Sequence, residues 1–320
     1  MSVLAPRTAA DLGLRDIRYE KDGWVATVTI QRPEAYNAYT AHTLGEIAAA
    51  FRDVAHDDHI AVAVLTGAGE TAFCTGGDVK EYASEYTRRP RDYWKYMGLF
   101  IDAIDAIRSC GKPTIARVNG MAVGGGNELN VACDLAIAAD HARFRQVGVQ
   151  VGSVAAGGAT QWLPIVIGDR RARQMLMLCE FVDAPTALAW GLVNEVVPMA
   201  KLDEAVARMS AKLVDTFPEC MRYTKAQVNV WKDFAWSMTA PHARDWLSLH
   251  FAALEPFEGM TAFAKKRKAD RIGVRERAAS GGSSEFVWGP HTRTCGACGA
   301  EGLPESFPFC GRCGAPVGGS

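Results

Sequence analysis

From Trp24 to Ile30 the chain alternates. Trp24, Ala26, Val28 and Ile30 fall on one face and Val25, Thr27 and Thr29 on the other, the period-two pattern of a strand, which Pro33 closes. The period then lengthens, and Leu44, Ile47, Ala48, Phe51 and Val54 recur at helical spacing from about Thr40. Residues 61–66 are a continuous apolar run that predicts a buried strand ending at Gly67. A helix follows with Tyr93, Tyr96, Met97, Phe100, Ile104 and Ile107 on one face. Next come a strand at 114–118, a glycine-rich turn at 124–126, a short helix and a strand at 134–138. From about Ala159 to Lys268 the pattern is mostly helical, interrupted by a strand-like stretch at 193–197. Strands alternating with helices predict an α/β fold of stacked β-β-α or β-α units, with the site at strand ends.

The pattern breaks at 279–284, Ala-Ser-Gly-Gly-Ser-Ser, a composition typical of a flexible linker, and a separate small module begins at about His291. The length of 320 residues suits one large domain plus extras, and 48% hydrophobic with 22% charged residues fits a soluble globular protein. A net charge of -1 gives no global reason to expect nucleic acid or an anionic membrane as partner. No apolar run approaches the roughly 18–20 residues of a membrane span. Residues 1–15 lack a basic start followed by an apolar stretch, so they read as a short leader rather than a secretory signal. Five cysteines, at 74, 110, 133, 179 and 220, stand singly, whereas Cys295, Cys298, Cys310 and Cys313 form two C-x-x-C pairs. Single cysteines suit a reducing compartment, and the expected location is the cytoplasm.

Two glycine-rich segments, Ala72–Lys80 and Val118–Glu128, each follow a strand-like stretch. Glycine lets a ligand approach the main chain closely, and two N–H groups facing one point make an oxyanion hole. Either segment alone reads better as a tight turn with no ligand, since glycine-rich turns are common. Together they resemble the two oxyanion segments of the enoyl-CoA hydratase (crotonase) superfamily. Residues 31–39, QRPEAYNAY, look like its N-terminal signature, while 112–120 and 133–138 frame the second loop as that family does. Residues 189–194 and 258–264 match its C-terminal landmarks, so the resemblance runs from about Ile17 to Lys268.

The resemblance implies a crotonase-like ββα spiral core with a helical C-terminal region, assembled as a homotrimer or homohexamer. It divides the chain into a leader (1–14), spiral core (15–205), helical trimerisation region (206–278), linker (279–290) and the terminal module (291–320). It implies an acyl-CoA substrate whose thioester oxygen meets the N–H groups of Gly77 and Gly125. Gly77, Asp78, Val79 and Lys80 would line the CoA channel, with Tyr36 and Ala38 beside the same moiety. Lys265–Lys268 is a basic run that either reaches CoA phosphates, on this or a neighbouring subunit, or is simply a solvated helix end.

Hydratases of that family carry a second-loop glutamate and another twenty residues later. The first is Glu128, expected to move protons with its pKa tuned by burial and by donors such as Asn127. The second position falls on Gly148, and the aspartate of ring-cleaving relatives falls on Ala155. No acidic residue lies between Asp140 and Asp169. Neutral groups would then position water, the candidates being Gln146, Gln150, Ser153 and Gln161, each equally explicable as ordinary packing. The run 145–164, with Asn127 and 168–172, most resembles the ring-opening 6-oxocyclohex-1-ene-1-carbonyl-CoA hydrolases of that superfamily. That resemblance implies water addition to a cyclic oxo-enoyl-CoA and hydrolytic ring cleavage through a thioester enolate. A hydratase or isomerase with a single glutamate, and a non-catalytic acyl-CoA-binding scaffold, are the alternatives.

The two C-x-x-C pairs are separated by eleven residues, and glycines at 296, 299, 311 and 314 permit tight turns around the sulfurs. The segment resembles a zinc ribbon, with all four positions filled by thiolate and therefore a structural site. It is too short to bury a core, so metal would supply most of its folding free energy. Such a module can dock a protein partner or a neighbouring subunit.

Overall fold

The computed structural model describes residues 5–282, 288–289 and 291–317. Two sheets lie at its centre. A six-stranded sheet has the order β1-β2-β3-β5-β7-β10, formed by Ile17–Asp22, Val25–Ile30, Val62–Gly67, Thr114–Val118, Leu135–Ala139 and Glu195–Val197. A four-stranded sheet, β4-β6-β8-β9, is formed by Ala72–Cys74, Met121–Val123, Arg143–Arg145 and Val182–Asp183. β1 pairs antiparallel with β2, and the ladder from β2 through β10 is parallel. The chain passes three times from the large sheet to the small one and then into a helix: β3-β4 to Pro90–Ser109, β5-β6 to Gly125–Ala132, β7-β8 to Ala159–Val166. Each turn is a ββα unit, and stacking them makes a spiral.

The burial pattern explains why the strands read as they do. In β3 all six residues are buried, because Ala63 and Leu65 enter the main core while Val62 and Val64 pack against Leu202, Ala205 and Val206 of the Leu202–Val214 helix. A strand covered on both faces loses its alternation and shows a continuous apolar run. β2 keeps the alternation at Ala26, Val28 and Ile30, which are wholly buried, but Trp24, expected on the same face, precedes the strand and is exposed, and Thr29 is buried as well. The Ala41–His56 helix starts where its spacing predicts, capped by the Thr40 hydroxyl on the Thr43 N–H at 3.2 Å. It buries Leu44, Ile47, Phe51 and Val54, each a burial that stabilises by roughly 1.5–3 kcal/mol.

Three expectations change. The short strands β4, β6 and β8 have three residues each, too few to carry a period, and only pairing in the second sheet defines them. The break expected at 279 begins one residue later, at Ser280, where helix Arg271–Ala279 ends; residues 283–287 and 290 of the linker lie outside the described residues. The helical region 206–278 is also more than an assembly segment. Helix Leu254–Ala264 folds back so that Met260 and Phe263, with Lys266 just beyond, wall a large cavity of the same chain. Among the described residues no helix is long and apolar enough to cross a membrane.

Candidate active site

That cavity, of about 920 Å³, extends from exposed Tyr36 and Lys80 to buried Glu128. Both glycine-rich segments border it. The first is held by the stretch 31–39. Tyr36 and Asn37 both adopt left-handed backbone (φ 53° and 54°), a conformation that asparagine tolerates better than most residues. The turn aims the Asn37 amide at the carbonyls of Ala68 (3.0 Å) and Ala72 (2.7 Å). Asn119, from the other segment, also donates to the Ala72 carbonyl (3.0 Å) while accepting from the Gly67 N–H. Arg32 bonds the Ala38 carbonyl and the Asp78 carboxylate (3.0 Å). These three side chains fix the first segment, and the sequence reading assigned none of them a role.

Tyr39 donates its N–H to the Gly76 carbonyl and accepts from the Asp78 N–H, both at 2.9 Å. Successive N–H groups of an extended chain point to opposite sides, so the Gly77 N–H is turned away from Tyr39. Across the cavity, Gly124 (φ 55°) turns the chain into helix Gly125–Ala132, whose first N–H groups have no partner within the helix. The two segments touch: a side-chain carbon on Gly76 would lie 3.0 Å from the Gly125 nitrogen, and one on Gly126 would lie 1.9 Å from the Cys74 carbonyl oxygen. Gly77 and Gly125 both line the cavity, as do Tyr36, Ala38, Asp78, Val79 and Lys80. Lys266 of the basic run reaches the same cavity from its own chain, whereas Arg267 pairs with Glu258 at 2.5 and 2.7 Å.

Glu128 stands in the first turn of the Gly125–Ala132 helix and is 4% exposed. Its Oε1 accepts the N–H groups of Gly157 (2.8 Å) and Ala159 (3.2 Å). Burial pushes its pKa up to about 7, and those two hydrogen bonds only partly oppose the shift. Asn127, the donor expected beside it, instead contacts the Met175 sulfur at 3.5 Å and accepts from Asn130 at 3.2 Å. The carboxylate's partners are main-chain groups thirty residues away, which local sequence does not reveal.

The place of a second carboxylate is filled. A side-chain carbon on Gly148 would sit 2.9 Å from the Ser153 carbonyl oxygen and 3.2 Å from the Ala155 nitrogen. The backbone of 153–155 has closed over position 148, and Glu128 is the one buried carboxylate among the described lining residues, Glu34 and Asp78 standing at the more open end. Of the four water-positioning candidates, Gln146 and Ser153 line the cavity. The buried Gln146 amide donates to the Gly124 carbonyl at 3.3 Å while its oxygen has no partner. Gln150 is engaged by Arg145 and the Leu178 carbonyl, and Gln161 by the Gly158 N–H, Thr160 and the Ala156 carbonyl, both away from the lining. Their amides are occupied in holding the loop, which removes both from water positioning.

The four paired cysteines converge at the other end of the chain, their sulfurs all within 4.8 Å of one another. Cys295 and Cys313 approach to 3.6 Å, Cys298 and Cys310 to 3.7 Å. Gly299 and Gly314 are left-handed (φ 70° and 73°) and their N–H groups return to the carbonyls of Cys295 and Cys310 at 2.9 Å. Gly296 and Gly311 lie inside the two turns without positive φ. The N–H groups of Cys313 and Arg312 hold the Cys310 thiol below its usual range. Four close sulfurs supported by main-chain donors are a donor set suited to tetrahedral zinc, and His291 is outside it.

The spiral of ββα units and its glycine-lined cavity define a crotonase-type fold. The enoyl-CoA hydratase/isomerase family matches residues 20–271, and the chain belongs to that family. It is 34% identical to the 6-oxocyclohex-1-ene-1-carbonyl-CoA hydrolase of Geobacter metallireducens, over 83% of this chain and 87% of that protein. It is likewise 34% identical to the protein of the same name from Thauera aromatica, over 75% and 77% of the two chains. Among solved structures, an enoyl-CoA hydratase from Mycobacterium avium subsp. paratuberculosis K-10 matches with a TM-score of 0.73 at 27% identity, over 80% of this chain and 98% of that one.

Proposed function

We propose that the protein is an acyl-CoA hydratase/hydrolase that adds water to a cyclic oxo-enoyl-CoA and then hydrolyses the ring open. The observation that carries this reading is a single buried carboxylate, with a pKa of about 7, facing the glycine turns while backbone fills the second carboxylate's place. The N–H groups of Gly77 and Gly125 receive the thioester oxygen, each donor contributing about 3 kcal/mol as negative charge develops there. Glu128 takes a proton from water as the oxygen bonds to the β-carbon, then returns it to the α-carbon of the enolate. A second water bonds to the ring ketone carbon and gives its proton to Glu128. The bond from that carbon to the α-carbon breaks, its electron pair entering the thioester as an enolate, which Glu128 reprotonates. A pKa near neutrality suits a group that acts in turn as base and acid. Gln146, with an unpartnered buried oxygen, and Ser153 position the waters.

The two relatives named above as 6-oxocyclohex-1-ene-1-carbonyl-CoA hydrolases support this substrate class. CoA enters past Tyr36, Ala38, Asp78, Val79 and Lys80, with Lys266 available to a phosphate. Incubation with 6-oxocyclohex-1-ene-1-carbonyl-CoA, read by mass spectrometry, is expected to show a product heavier by two waters. A product heavier by one water would replace this reading with a plain hydratase, and binding without conversion would replace it with a scaffold.

The four cysteines bind one structural zinc, which closes the terminal module and leaves no coordination position for substrate. Metal analysis of the full chain is expected to give one zinc per chain. Chelation is expected to expose residues 291–317 to protease while the spiral core stays resistant. Equal resistance with and without metal would remove the zinc assignment. Exposed apolar side chains along helix Pro218–His250, among them Val228, Trp231, Phe234 and Met238, support a homotrimer or homohexamer, and the single unpaired cysteines support a cytoplasmic location.

A further inference from the structure

The steps above leave four phenols of the site, those of Tyr39, Tyr82, Tyr93 and Tyr96, without a task. Tyr39 and Tyr82 line the cavity, and Tyr96 stands behind them. The Tyr82 hydroxyl lies 2.8 Å from that of Tyr96, and the Tyr39 hydroxyl stands beside it. At most two of the three hydroxyl hydrogens of Tyr39, Tyr82 and Tyr96 are used among these phenols, so at least one O–H remains to donate to a further acceptor.

The position of the hydroxyls says what that acceptor is. A side-chain carbon on Gly77 would lie 1.9 Å from the Tyr82 oxygen, and one on Gly125 would lie 1.8 Å from the Tyr39 oxygen. Each phenol oxygen therefore rests against the α-carbon of one of the two glycines assigned to the oxyanion hole. The rings are fixed in place: Tyr39 stacks on Phe100 at 5.3 Å, and Tyr82 meets Tyr96 edge-on at 5.2 Å. Burial raises both phenol pKa values, so both are neutral donors across the physiological range.

A β-oxo thioester carries two carbonyl oxygens on carbons separated by one carbon. With the thioester oxygen between the two amides, the second oxygen falls beside the same glycines. We propose that Tyr39 and Tyr82 form a second oxyanion site, selective for the β-oxygen of a β-oxo acyl thioester. This rests on the enolate-stabilising reading of the cavity and names the substrate class within it. When water bonds to the β-carbonyl carbon, the charge formed on its oxygen is held by a phenolic O–H. As the carbon–carbon bond breaks, that oxygen regains its double bond in the new carboxyl group and the released electron pair passes to the thioester. A plain enoyl or saturated acyl chain offers these hydroxyls no acceptor.

Calorimetric titration of the full-length protein with acetoacetyl-CoA and with butyryl-CoA tests this, read as the ratio of the two affinities. The wild type is expected to favour acetoacetyl-CoA by about tenfold, the worth of one such hydrogen bond. The Tyr39→Phe/Tyr82→Phe double variant is expected to lose that preference, with butyryl-CoA binding reporting that the channel is intact. In turnover the double variant should accumulate the singly hydrated intermediate. No preference in the wild type, or the same preference in the double variant, overturns the proposal. A retained preference with no turnover of any cyclic oxo-enoyl-CoA would remove the proposed reaction and leave this site standing. Ring opening by the double variant at the wild-type rate would do the reverse.

Discussion

Glu128→Gln is expected to lower kcat at least a thousandfold while CoA binding persists. The amide oxygen still accepts from Gly157 and Ala159, so the loop keeps its geometry and only proton transfer is lost, a step worth about 10²–10⁴ by itself and used twice in the proposed sequence. Activity and stability should move in opposite directions with pH. The carboxylate form starts each cycle, so kcat/KM of the wild type should rise through about pH 7 and level off above it. Stability has the reverse sign. The folded pKa lies above the ordinary glutamate value of 4.5, so between about 4.5 and 7 the native state binds more protons than the unfolded chain, and stability falls as pH rises through that window. The full effect is on the order of 3 kcal/mol. Glu128→Gln, which carries no charge, should flatten this slope. Urea denaturation of both proteins between pH 4.5 and 8 checks it, and parallel curves would mean the carboxyl is not titrating from a buried state.

The second large effect is expected at Gly126, which touches no substrate. A methyl group there would meet the Cys74 carbonyl oxygen at 1.9 Å and its carbon at 2.5 Å. Both belong to β4, which leads directly into Gly76 and Gly77. Backbone cannot move aside as a flexible side chain can, so the helix carrying Gly125 and Glu128 must separate from the first segment. Gly126→Ala should therefore lower kcat by a hundredfold or more, the value of one misplaced oxyanion donor, and reduce stability by about 1–3 kcal/mol through overpacking. Gly45→Ala is the control. It sits in helix Ala41–His56 with nothing within 4 Å of the new carbon, and should stabilise by roughly 0.5–1 kcal/mol. Thermal melting of both variants with initial rates separates the two cases; a fully active Gly126→Ala protein would show that the close approach is not needed.

Legibility in the sequence followed the range of the contacts involved. The Ala41–His56 and Pro90–Ser109 helices each bury a face defined by their own spacing, so periodicity located them. β4, β6 and β8 have no period of their own and exist because they pair with one another. The glycine segments, Glu128 and the paired cysteines were legible as motifs. The partners of Glu128 were not, because main-chain N–H groups at 157 and 159 carry no side-chain signature. Gln150 and Gln161 were indistinguishable from Gln146 by residue type, and only their hydrogen bonds show that two amides are committed and one oxygen is open.

The sequence alone therefore determined the α/β class and the four sulfurs by residue type and near spacing, and pointed to the two turns and the one acid through their resemblance to the crotonase family. The tertiary structure decided that backbone occupies the space above Gly148, that helix Leu254–Ala264 walls its own chain's cavity, and that two phenols rest against the glycine turns. Those outcomes depend on segments distant in the chain meeting at van der Waals separation, and no local pattern of residues encodes which distant surface will arrive.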